Sequence, residues 1–81
     1  MKQYDIILKA MLTNKDVVWW YAKNFQQEPY FVGYEASARM SELANMYPEI
    51  IISEKDGRFR TLRINWEKEK EIKKILKEKG W

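Results

Sequence analysis

The stretch Gly33–Asn65, GYEASARMSELANMYPEIIISEKDGRFRTLRIN, decides how this chain folds, because its first half has the period of a helix and its second that of paired strands. In the first half Ala36, Met40, Leu43 and Tyr47 recur at i, i+4, i+7 and i+11, one narrow stripe on a 3.6-residue helix, and the stripe is expected to be buried. The other faces carry Tyr34, Glu35, Ser37, Ala38, Arg39, Ser41, Glu42 and Asn45, short or polar side chains that let something large come close. Tyr47-Pro48 ends the helix, and Ile50-Ile51-Ile52 opens a strand that Asp56-Gly57 turns back on itself.

Two registers compete in that hairpin. A two-residue Asp56-Gly57 turn sets Ile51 with Leu62 on one face and Ile50 and Ile52 with Phe59 on the other. A three-residue Lys55-Asp56-Gly57 loop with Gly57 left-handed gathers Ile50, Ile52, Leu62 and Ile64 on one face, since one residue of slip flips every side chain. The second gives a single core face and is the expected register; Arg60 then lies on that face near the tip, beyond the core. Charge also divides the stretch. Ser53–Arg63 holds Lys55, Arg58, Arg60 and Arg63 against Glu54 and Asp56, a net of +2, whereas Gly33–Tyr47 holds Arg39 against Glu35 and Glu42, a net of −1.

Outward from this centre, Tyr4, Ile7, Leu8, Met11 and Leu12 predict a first helix from about Gln3 to Leu12. Thr13-Asn14-Lys15-Asp16 supplies turn residues and an N-cap candidate in Asp16. Val17-Val18-Trp19-Trp20-Tyr21 reads two ways: β-branched and aromatic residues favour a strand, while Val18, Tyr21, Ala22 and Phe25 form a helical stripe. A second helix from about Val18 to Gln27 is the preferred reading, and a strand at Val17–Trp19 pairing with the hairpin stays open. Lys15 and Lys23 are candidate phosphate contacts there. Pro29 pushes Glu28 out of the helical region, and Gly33 is able to adopt a positive φ before the next helix. At the C-terminus, Glu67–Lys79 is a charged helix with an apolar stripe of Ile72, Ile75 and Leu76, supported by Glu67–Lys70 and Glu69–Lys73 spacing and stopped by Gly80. The stripe is too short for an independent coiled coil. Packing on the domain and pairing in a homodimer both stay open, as do a tucked and a partner-bound Trp81.

With 81 residues and a net charge of +3, the chain has material for one core and tolerates a polyanionic partner without demanding it. It has neither Cys nor His, which removes disulfides, the usual zinc ligands and the commonest general base. No apolar run approaches the roughly 20 residues that span a bilayer, so a soluble cytoplasmic protein with no membrane partner is expected. Ser37, Ser41 and Ser53 have no histidine to activate them, and Glu35, Glu42, Glu49 and Glu54 show no acid–base spacing. There is no Gly-rich phosphate loop. The expectation is therefore a non-enzyme with no metal and no cofactor. Most of Trp19, Trp20, Tyr30 and Phe31 read as core aromatics rather than a base-stacking platform.

The run Tyr34-Glu35-Ala36-Ser37-Ala38-Arg39-Met40-Ser41-Glu42-Leu43, followed by Gly57-Arg58-Phe59-Arg60-Thr61-Leu62-Arg63-Ile64, resembles the recognition helix and wing of winged helix-turn-helix domains. The small form found in bacterial and phage DNA-binding proteins is the nearest type, and the resemblance covers roughly Tyr4 to Asn65. It implies an α+β fold, a three-helix bundle with a β-hairpin wing over residues 1–66, plus a C-terminal charged helix over 67–81 packed on the domain or in a dimer. It also implies non-catalytic binding of double-stranded DNA, in a small bacterial or phage regulator of transcription or an accessory factor.

On that likeness the recognition helix, about 34–46, enters the major groove with Tyr34, Ser37, Ala38 and Ser41 toward base edges. Arg39 resembles the arginine frequent in this part of the family's helix; it reaches a phosphate or guanine, or pairs with Glu35 or Glu42. Lys55, Arg58, Arg60 and Arg63 of the wing, about 50–64, lie along the DNA backbone or in the minor groove and supply affinity more than sequence choice. The segment Glu28–Gly33 is longer than the tight turn of the simplest helix-turn-helix proteins. The alternative is a protein–protein interaction module on the same scaffold, motivated by the acidic residues of the helix and the unassigned stripe and Trp81 at the C-terminus.

Overall fold

The computed structural model describes residues 2–26, 33 and 35–81, with Asp56 by its backbone alone. In chain order the elements are α1 (Gln3–Thr13), β1 (Trp20–Tyr21), a 3₁₀ turn (Ala22–Phe25), α2 (Ala36–Met46), β2 (Ile51–Asp56), β3 (Phe59–Ile64) and α3 (Glu69–Lys79). Among the described residues this is an α+β arrangement of three α-helices and one antiparallel sheet in the order β1-β3-β2.

The periodic stripes of α1 and α2 do what their spacing predicts. Ile7, Leu8 and Met11 of α1 meet Ala36, Met40 and Leu43 of α2 in one buried cluster, which the sheet closes with Trp20, Leu62 and Ile64. Gly33 takes the positive φ that its position asked for, at 109°, and its N–H donates to the Phe25 carbonyl at 3.3 Å. The C-terminal helix returns to the same core: Ile72 is buried, Ile75, Leu76 and Trp81 pack against the cluster, and Lys79 Nζ lies 3.1 Å from Asp5 Oδ1. Gly80 caps α3 in the left-handed conformation, and the Trp81 N–H donates back to the Leu76 carbonyl, so the terminal tryptophan is tucked rather than extended.

Two expectations are corrected. Over the described part of the expected second helix there is no α-helix: Trp20–Tyr21 pairs with β3 as a strand, and only the short 3₁₀ turn Ala22–Phe25 follows, which the Tyr21 N–H closes on Asn24 Oδ1 at 2.7 Å. Among the described residues the α-helices are thus α1, α2 and the C-terminal α3. Strand pairing wins because it buries Trp20 opposite Leu62 and stacks its ring on Phe25 at 5.3 Å, whereas Val18 of the helical stripe is left exposed. The alternative strand was right in kind but begins after Trp19.

The hairpin register is the second correction. Asp56 pairs with Phe59 across a two-residue Gly57–Arg58 connection, with Gly57 at φ 64°. This sets Ile51 opposite Ile64 and Ser53 opposite Leu62, so Ile51, not Ile50 or Ile52, shares the core face of β3. The demand for a single apolar face failed because Ile50 lies in the turn before β2, where it is buried along a groove that it shares with Ile75 of α3. Arg60 keeps its expected face beside Leu62, since both registers give it the same parity.

Candidate nucleic-acid interface

Because β1 is only two residues long, it leaves β3 at Thr61 and turns into the 3₁₀ segment beside the hairpin tip. A cleft of about 270 Å³ opens there. Lys23 of the 3₁₀ segment and Gln26 just after it line the cleft from one side, Arg58, Phe59 and Arg60 from the hairpin, and Ser37 from the first turn of α2. Three cations from two separate parts of the chain thus meet a hydroxyl of the helix, with no carboxylate among the described lining residues. Lys55 adds a fourth cation directly across the strand from Arg60. Like charges in that position repel, and an anion bound between them relieves the repulsion. Arg60 now donates instead to Ser53 Oγ at 2.8 Å.

The remaining candidates divide. Ser37 and Ala38 are exposed on α2, and Ser41 is half-buried. Tyr34 lies outside the described residues, as do Tyr30 and Phe31. Arg39 Nη2 sits 2.9 Å from Glu42 Oε1, one turn along the helix, so of its two expected roles it takes the intrahelical pair here. That pair also neutralises one of the two helix carboxylates that oppose a phosphate; Glu35 has no ion pair among the described residues. Arg63 is not at the tip. It lies 3.6 Å from Glu54 Oε1 with its guanidinium 5.3 Å above the Trp19 ring, on the face of β3 turned away from Leu62. Arg58 is exposed in the turn and has no ion pair among the described residues.

Tyr21, Gln26 and Phe59 are absent from the sequence candidates, whereas Lys23 is among them as a phosphate contact on the expected second helix. Tyr21, Lys23 and Gln26 follow once Trp20–Tyr21 is a strand, since that pairing delivers them beside the hairpin tip, where the β2–β3 pairing already sets Phe59. Lys15, the other lysine expected to contact phosphate, lies over the Trp66 ring at 5.4 Å, away from this cleft.

A second concavity, about 370 Å³, lies between the end of α2 and α3. Met46, Tyr47, Ile50 and Ile75 give it apolar walls, and Glu49, Glu71 and Glu78 outnumber Lys74 around it. No helix among the described residues is long and apolar enough to cross a membrane. No protein-family model matches this chain, no curated protein matches it, and no solved structure matches it.

Proposed function

We propose that this chain is a non-catalytic binder of double-stranded DNA with a winged-helix arrangement, α2 as the recognition helix and the β2–β3 hairpin as the wing. The observation that carries the reading is the cleft itself: Lys23, Arg58 and Arg60 border one opening with Ser37 of α2, and Lys55 stands across the strand. Clustered cations beside a helix with small polar side chains suit a phosphate backbone and an adjacent groove. The sheet order β1-β3-β2 supports the arrangement, since a short strand ahead of the recognition helix commonly pairs with the wing in such domains. Small bacterial or phage regulators and accessory factors are the functional class it suits.

Titration of a random-sequence duplex at two salt concentrations, with the mass of the complex measured in parallel, tests this. Neutralising about three to four phosphates makes log K fall with log salt at a slope of about −3. Absence of binding at low salt overturns the reading. A second reading, a protein-interaction module on the same scaffold, is favoured by the acidic apolar groove between α2 and α3, where Met46 keeps 48% of its surface exposed. Its partner is a basic segment with an apolar anchor, because carboxylates predominate there.

A further inference from the structure

Phosphate binding leaves one side chain of the cleft unexplained. Phe59 keeps 68% of its surface in solvent, stands between Arg58 and Arg60, and borders the opening at the hairpin tip. Its cross-strand neighbour is Asp56, neither aromatic nor β-branched, so strand packing gives no reason for a phenyl ring there. Apolar surface held in water is unfavourable until something covers it. Tyr21 lines the same cleft, with the Lys23 ammonium 5.7 Å from its ring centre.

Resting on the DNA-binding reading above, we infer that Phe59 is a stacking wedge: its ring enters a base step while Arg58 and Arg60 hold the flanking phosphates, so duplex with a weakened step is the preferred ligand. An apolar side chain inserted between bases partly unstacks them, and the cost is least where the step is already deformable or mismatched. The ring then gains contact with a base π-face, which every base offers, so the preference follows stacking strength rather than base identity.

The test uses the full chain and two short duplexes, one fully paired and one with a central mismatch beside 2-aminopurine, whose fluorescence rises on unstacking. Wild type is expected to bind the mismatched duplex several-fold tighter and to raise its fluorescence. Phe59→Ala is expected to lose both, with affinity for the mismatched duplex down about tenfold and the salt slope unchanged, since no cation is removed. Phe59→Trp is expected to restore preference and signal, which a defect in folding would not allow. If Phe59→Ala retains the preference, or wild type binds both duplexes alike without a signal, the wedge is overturned while DNA binding stands. If wild type binds neither duplex, the DNA reading falls and the wedge with it.

Discussion

The two ends of α2 meet opposite surroundings. Its first turn borders the cleft of Lys23, Arg58 and Arg60, whereas Met46 at its last turn borders the groove of Glu49, Glu71 and Glu78. The helix dipole is positive at the first end and negative at the second, so its field adds to each set of side chains rather than offsetting it. The net charge of +3 conceals this separation. One end attracts an anion and the other a cation, and the eleven residues between them span about 16 Å. That distance exceeds the screening length of about 8 Å at physiological salt, so the two ends act almost independently.

The change that removes the comparison altogether is Met40→Ala. Met40 is fully buried on the stripe that fixes α2 against α1 and the sheet. Truncating a buried methionine costs about 2–5 kcal/mol, a large share of the roughly 5–15 kcal/mol that hold a domain folded. The urea midpoint should fall with its slope unchanged, and binding at both ends should weaken in proportion to the unfolded fraction. A midpoint near that of wild type would mean that the stripe does not anchor the helix.

Paired substitutions sharpen the contrast by touching one end at a time. Arg58→Ala with Arg60→Ala removes two candidate phosphate contacts, so duplex affinity should fall about tenfold or more and the salt slope should lose about 2. Glu71→Gln with Glu78→Gln should leave duplex affinity within about twofold, because the groove lies beyond the screening length, and should instead weaken a basic amphipathic peptide. Titrating both ligands against both variants separates the two functional readings. Equal effects of the two variants on DNA would show that only net charge matters.

What the sequence made legible was what local period controls. Ala36, Met40 and Leu43 are buried as their spacing requires, Gly33, Gly57 and Gly80 take the positive φ that their positions ask for, and the basic tip lies on a hairpin. The segment at Trp20 was misread because a helical stripe and a β-branched aromatic run coexist there, and only the distant partner Leu62 decides between them. The register was misjudged for a related reason: a one-face core was assumed, although Ile50 finds its cover in the turn and along the groove shared with α3. The cleft inherited both problems. Its arginines were visible in the charge pattern, while Tyr21 and Gln26 became part of it only through the pairing of β1 with β3.

The smallest effect concerns the tie that returns α3 to α1, and it bears on whether the acidic groove depends on one surface contact. Lys79 Nζ donates to Asp5 Oδ1 at 3.1 Å, and that hydrogen bond holds the Lys79 ammonium above its ordinary value of 10.5 against the opposing effect of desolvation. Lys79 lies in the last turn of α3 and Asp5 in the first turn of α1, each where the helix dipole favours its sign. With the folded pKa raised above the unfolded one, the contribution is fully present below about pH 10 and is lost as pH rises through the folded value. An exposed pair of this kind stabilises weakly, so Lys79→Gln should lower the melting temperature at pH 7 by an amount near the resolution of the measurement. The gap between variant and wild type should then close as the pH is carried above 10.5 and past the raised value. Peptide binding in the groove should survive, because buried Ile72 holds α3 without the pair. A gap that stayed constant into strong alkali would show that the loss does not come from the Lys79 charge, neither from its pair with Asp5 nor from its ammonium 5.9 Å from the Trp81 ring centre.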